Sequence, residues 1–79
     1  MSIIKFLEGD NEIKKKLGIN IGMLRNKKGL TQEELADLVY VSPRTISQIE
    51  NGKNFPHSII LYRIADALEV DYNNLMTLD

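Results

Sequence analysis

Four side chains between residues 44 and 51 are of types and at spacings that could do chemistry together. With Ile46 at 0° on a helical wheel, Ser47, Asn51, Arg44 and Gln48 fall at about 100°, 140°, 160° and 200°, and Ile49 falls at about 300°. One face is apolar and the other carries hydrogen-bonding groups. Arg can pair bidentately with guanine O6 and N7, and Gln with adenine N6 and N7. Ser serves either donors or acceptors, and each good bidentate pair discriminates by roughly 1 to 3 kcal/mol. A short helix presenting these groups has the dimensions of a major-groove reader. Taken alone, such a polar face reads more simply as a solvated surface, so its meaning depends on the elements around it.

Those elements are helices. Ile13, Leu17, Ile21 and Leu24 recur at helical spacing and predict a first helix over about 12–27, with Gly29 as its stop signal. Thr31 to Glu34 forms a capping box that opens a second helix, whose expected buried face is Leu35, Ala36, Leu38 and Val39. Ser42-Pro43 opens a third, because Ser caps well and Pro at the first helical position forfeits no helical hydrogen bond. Asn51-Gly52 closes it. After Pro56, the stripe Leu61, Ile64, Ala65 and Leu68 marks a fourth helix over roughly 57–69, and Asp71 caps a short fifth carrying Leu75 and Met76. His57 is read as part of the fourth helix's start, with Ser58 as the alternative cap. No β alternation competes, so the fold class is all-α. Ala36 supplies the small side chain that two steeply crossing helices need over a tight turn. The capped second helix, this small residue and the short turn together favour the groove-reading meaning of the third helix.

Composition narrows the function classes. The chain has 79 residues, 10 Lys+Arg, 11 Asp+Glu, one His and no Cys. At this length one modest core forms, burying roughly 60 to 65% of the unfolded chain's surface, with little room for a deep substrate cavity. The absence of Cys removes disulfides and thiolate zinc sites and fits a reducing interior, so the expected location is the cytoplasm. No apolar run approaches the roughly 18 residues of a membrane span, and Met1 to Leu7 lacks the features of a signal peptide. His57 has no second histidine or cysteine with which to share a metal. No nucleophile, base and metal set clusters anywhere, so an enzyme is not expected. The remaining competitor is a protein-interaction module on the same scaffold, such as the folded part of an antitoxin. Such a module would have no physical need for an exposed Arg44, Ser47 and Gln48 face.

At residues 24–75, LRNKKGLTQEELADLVYVSPRTISQIENGKNFPHSIILYRIADALEVDYNNL, the sequence resembles the Cro and repressor type of helix-turn-helix, the XRE-like family of bacterial and phage regulators. The resemblance implies a compact five-helix, lambda-repressor-like DNA-binding domain at 11–79, with the helix-turn-helix at 31–52 and an N-terminal arm at 1–10. It further implies that Ser42, Pro43, Arg44, Ser47 and Gln48 read bases, and that Gln32, Thr45, Asn51, Lys53 and Asn54 touch phosphate. Arg25 and Glu50 match an internal ion pair joining the first and third helices, which makes Glu50 structural. The expected partner is double-stranded DNA, with no cofactor and no small-molecule ligand, and the expected role is a transcriptional regulator, a repressor where it blocks polymerase and an activator where it contacts it.

Two departures from the family pattern matter. Tyr40 stands where the family usually places Gly in the turn, a position that normally has φ above zero, so a left-handed Tyr40 at a cost of order 1 to 2 kcal/mol is expected. Pro43 can offer bases only apolar contact, which leaves more of the reading to Arg44 and Gln48.

Charge is unevenly spread. Residues 14–53 hold eight basic and four acidic side chains, a net of +4, and the remainder holds two basic and seven acidic, a net of −5. The total of −1 therefore hides a basic centre, as a DNA-facing half requires. The Lys14 to Lys16 run by itself reads as a solvated helix face. Ile19 and Met23 lie off the first helix's core face, and the apolar MSIIKFLE arm is expected to pack on them, within the monomer or across a dimer. A single module buries only roughly 600 to 1,000 Å² on DNA, so a homodimer on an inverted repeat is expected, through Tyr72, Leu75, Met76 and Leu78, with Ile60 beside them. With no effector domain, regulation would follow from site occupancy.

Overall fold

The computed structural model of the chain describes residues 3–77, with side chains from residue 9 onward. Five helices follow in order: α1 (Ile3–Lys28), α2 (Gln32–Val39), α3 (Pro43–Glu50), α4 (Ser58–Ala67) and α5 (Tyr72–Leu75). No strand occurs among the described residues, and no described helix is long and apolar enough to cross a membrane. The core comprises Leu17, Ile21, Leu35, Ala36, Val39, Ile46, Ile49, Leu61, Ile64, Ala65, Leu68 and Leu75, all buried. α2 packs on α3 and α4, α1 lies across α3, and α5 closes against α4 and α1.

Helix α1 is longer than its apolar spacing predicts. It begins at Ile3, not near residue 12, and runs through the boundary drawn between arm and domain. Its 26 residues span ~39 Å at 1.5 Å per residue, matching the molecule's 40 Å long dimension. Ile3 and Ile19 therefore stand ~24 Å apart along one continuous helix, and the arm cannot fold back onto its own Ile19 and Met23. Those two side chains are exposed. Met1 and Ser2 lie outside the described residues. Ile13, which the periodicity assigned to the core, is 44% exposed and lines a shallow hollow beside Phe55 instead.

Close approach to α3 is bought by glycine. A Cβ on Gly18 would stand 2.4 Å from the Ile49 carbonyl oxygen and 2.7 Å from that of Glu50, so only a bare Cα lets α1 cross the end of α3. Asn20 adds a second tie, its Nδ2 donating to the Leu75 carbonyl at 2.7 Å across the α1–α5 junction.

In α2, Leu35, Ala36 and Val39 are buried as expected, but Leu38 is exposed. It stands about 110° from the centre of that face, too far round to reach the core. His57 occupies the cap position of α4 without a side-chain hydrogen bond, and Ser58 is the first helical residue. Asp71 caps α5 by position, also without a side-chain bond. Glu69, left-handed at φ 57°, ends the α4 segment, and its carboxylate meets Lys28 Nζ at 2.6 Å. That contact holds Glu69 below the ordinary glutamate range.

Candidate nucleic-acid interface

The helix-turn-helix is built by local bonds at each of its junctions. At the start of α2 the Thr31 hydroxyl accepts from the Glu34 N–H at 3.0 Å, and the Thr31 N–H donates to Glu34 Oε1 at 2.9 Å. These two bonds satisfy orphan donors of the first turn, and the Thr31 backbone N–H, followed by the Thr31 side chain, holds the Glu34 carboxyl below its ordinary value. Tyr40 ends α2 in the left-handed region, φ 61° and ψ 42°, as its glycine-like position predicts. Its ring is 81% exposed, so no burial offsets the strain. The Arg63 guanidinium instead lies 5.4 Å from the ring centroid, a cation–π contact from α4.

Helix α3 starts where Ser42 Oγ accepts from the Thr45 N–H at 3.2 Å and lies 3.0 Å from Thr45 Oγ1. The Ser42 hydroxyl is thus committed mainly to capping, with limited capacity left for a base. Ile46 and Ile49 are fully buried, which fixes the rotation of α3. Arg44 and Asn51 then stand exposed on the opposite side, with Ser47 and Gln48 half-buried between them and Pro43 exposed at the tip. Asn51 Nδ2 reaches Ser47 Oγ only at 3.4 Å, a weak contact that leaves both groups free to bind elsewhere. Beyond α3 the Gly52 and Lys53 N–H groups bond back to the Ile49 and Gln48 carbonyls, with Gly52 at φ 74°, and this turn presents Lys53 and Asn54 to solvent.

A single ion pair ties the three helices together. Arg25 Nε donates to Glu50 Oε2 at 2.7 Å and Nη2 donates to Oε1 at 3.0 Å, while Nη1 reaches the Leu30 carbonyl at 2.7 Å. Both side chains are nearly buried, and the hydrogen bond to Glu50 raises the Arg25 pKa further. Gln32 joins the pair, its Nε2 donating to Glu50 Oε1 at 3.1 Å. One N–H of that amide remains for a phosphate oxygen. Gly22 makes room for the carboxylate, since a Cβ there would stand 3.2 Å from Glu50 Oε1.

The expected dimer residues divide. Tyr72 is half-buried and stacks on Tyr62 with ring centroids 4.5 Å apart, and Met76 is half-buried beside the core. Leu75 is fully buried within the chain, which removes it from any interface. It sits at the inward position of α5, a distinction four residues of helix could not signal in advance. Leu78 lies outside the described residues.

A helix-turn-helix family model matches residues 21–75. The chain is 39% identical over 66 residues to the uncharacterized HTH-type transcriptional regulator y4dJ of Sinorhizobium fredii, covering 84% of this chain and 86% of that protein. It is 41% identical over 61 residues to the ImmF control region 10 kDa protein of Bacillus phage phi105, covering 77% and 68%. Among solved structures, the restriction-modification controller protein C.AhdI from Aeromonas hydrophila superposes with a TM-score of 0.75 at 30% identity, covering 77% of this chain and 92% of that one. The chain belongs to the XRE-type helix-turn-helix family HTH_3, the DNA-binding transcriptional regulators, and is not an enzyme.

Proposed function

We propose that this regulator is a sequence-specific repressor that reads the major groove as a homodimer on an inverted repeat, acting in the cytoplasm. One observation carries the reading: burial of Ile46 and Ile49 turns Arg44, Ser47 and Gln48 to the opposite side of α3. On this reading Arg44 and Gln48 select bases, Ser47 and Ser42 assist, and Pro43 offers an apolar contact to a thymine methyl. Gln32, Thr45, Asn51, Lys53 and Asn54 hold phosphate on either side of the helix, fixing its register.

The dimer follows from interface size, since one module of this kind covers too little DNA for tight specific binding. Its candidate surface is Tyr72 and Met76 with the exposed Tyr62 and Ile59 of α4. The N-terminal arm, residues 1–10, is a second dimer element that packs on the partner's Ile19 and Met23 surface, and removing Met1 to Glu8 is expected to weaken dimerisation. Repression requires only that the occupied site exclude polymerase. A controller protein and a phage control-region protein among the similar chains agree with a small regulator of this type.

Selection of bound duplexes from a random pool, combined with light-scattering mass, tests the whole reading. The expected product is an inverted repeat with half-sites ~34 Å apart, bound by two chains. Enrichment of single half-sites by a monomer, or no enrichment, would reject it.

A further inference from the structure

Residues 10–15 of α1, which precede the matched family region, lie against the loop that follows the reading helix. Two separate contacts show this. A Cβ on Gly52 would stand 2.9 Å from Lys15 Cγ, 3.0 Å from its Cα and 3.3 Å from its N, so the aliphatic stem of Lys15 runs directly over Gly52. One turn earlier, Asp10, Ile13 and Lys14 share a shallow hollow of about 320 Å³ with Phe55. The loop 51–55 is thus seated on residues 10–15 of α1. Lys14 is half-buried, Lys15 is exposed, and neither has an ion-pair partner among the described residues, whereas Lys16 points elsewhere and meets Glu12 at 3.7 Å.

We propose that Lys14 and Lys15 form a phosphate-binding extension of the DNA interface, continuous with Lys53 across Gly52 and directed at the backbone flanking each half-site. The proposal rests on the DNA-reading assignment of α3. Given that assignment, the loop holding Asn51, Lys53 and Asn54 abuts the backbone, and the exposed Lys15 packed on that loop stands next to it. A polyanion is the partner that lysines on both sides of this loop would attract, and a run that looks merely solvated in sequence becomes part of a basic edge. Asp10 lines the same hollow one turn before Lys14 and offsets part of its charge, which leaves Lys15 as the stronger contact. A lysine stem held along the Gly52 backbone also loses less freedom on binding than a free one.

The experiment is a salt titration of binding to a duplex carrying the selected site, for the whole chain and for Lys14→Gln, Lys15→Gln, the double variant and Lys16→Gln. Each lost phosphate contact lowers the slope of log affinity against log salt by about 0.9. The ratio of affinities between 50 and 200 mM salt then shrinks about 3.5-fold for Lys15→Gln and about 12-fold for the double variant. Lys16→Gln should leave it unchanged. Trimming the duplex to the edges of the half-sites should bring the unmodified chain to the double variant's slope. An unchanged slope in the double variant, with the unmodified chain still binding, overturns the α1 contact alone. An equal loss in Lys16→Gln overturns it too, by showing a bulk charge effect. Failure of the unmodified chain to bind any duplex overturns the reading of α3 and this extension with it.

Discussion

The Gln32 amide donates to Glu50 Oε1, the oxygen that also accepts from Arg25 Nη2, so the side chain at the start of α2 is held by the carboxylate at the end of α3. With Gln32 in its proposed role at a phosphate, the relationship couples stability to DNA contact. Removing Glu50 leaves the nearly buried Arg25 guanidinium without its partner and releases Gln32 from its fixed position. Breaking a fully buried pair costs about 3 to 5 kcal/mol, and with side chains 12% and 10% exposed the expected cost of Glu50→Ala is about 2 to 4 kcal/mol. Gln32→Ala should cost under about 1 kcal/mol of stability yet weaken DNA binding. Urea unfolding and duplex affinity, measured on both variants, separate the two effects.

The two glycines of α1 should respond differently to the same substitution. Gly18→Ala drives a methyl into the Ile49 and Glu50 carbonyls, rigid backbone that cannot give way, and should destabilise by about 1 to 3 kcal/mol or more. At Gly22 the new methyl meets only the Glu50 carboxylate, which Arg25 and Gln32 pin in place, and alanine gains about 1 kcal/mol of helix propensity in partial compensation, so Gly22→Ala should cost clearly less than Gly18→Ala. Thermal unfolding of both variants gives the comparison, and equal losses would mean that α1 does not cross α3 at Gly18.

Tyr40 carries left-handed strain with no buried ring to offset it. Tyr40→Gly relieves about 1 to 2 kcal/mol and forfeits a cation–π contact worth about 0.5 to 1 kcal/mol at an exposed site. A net gain of about 0.5 to 1 kcal/mol is expected, visible as a raised Tm. Tyr40→Val should lower it, because a β-branched side chain fits that backbone worse than tyrosine does.

Acid should loosen the start of α2. The backbone N–H of Thr31, and then its hydroxyl-linked bonding, hold the Glu34 carboxyl below its ordinary value. A lowered folded-state pKa means that this contribution is complete above the ordinary glutamate range and is lost as pH falls through the lowered value. The Lys28 bond at Glu69 acts in the same direction. Glu34→Gln should flatten the acid limb of a stability profile measured from pH 6 downward, whereas Thr31→Ala should cost about 1 kcal/mol at neutral pH and keep most of that limb, because the backbone N–H that bonds Glu34 remains.

Short-range signals made most of this architecture readable from the sequence. The Thr31–Glu34 box, Ser42-Pro43 and the stripe from Leu61 to Leu68 each set an element through local bonds or spacing, and each stands where the residues place it. The left-handed Tyr40 was legible because a turn of fixed shape demands that conformation whatever residue occupies it. What stayed hidden depends on distant packing. The apolar spacing of the extra turns of α1 is cut off from Ile13 by the polar run Glu8 to Glu12, Leu75 and Met76 look alike until α5 docks, and Asn20 gives no hint that its amide reaches α5. The Lys14 to Lys16 run reads as one solvated block until loop 51–55 is laid across two of its members.

The sharpest division within the proposed interface is between Arg44 and Lys53, which stand at opposite ends of the same structural unit. Arg44 is exposed on the reading face of α3, where a bidentate guanidinium distinguishes guanine from other bases, whereas Lys53 follows the helix in a turn and offers a point charge. Arg44→Ala should therefore weaken binding to the selected site by about 1 to 3 kcal/mol and relax selection at one base position. Lys53→Ala should weaken selected and random duplexes alike and lower the salt slope by about 1. With a net charge of only −1, the chain lacks the overall attraction that would give strong binding to arbitrary DNA, so random duplex should bind weakly at physiological salt. Titrating both variants against selected and random duplexes reads all three expectations at once. If neither substitution changes binding, α3 does not enter the groove by this face.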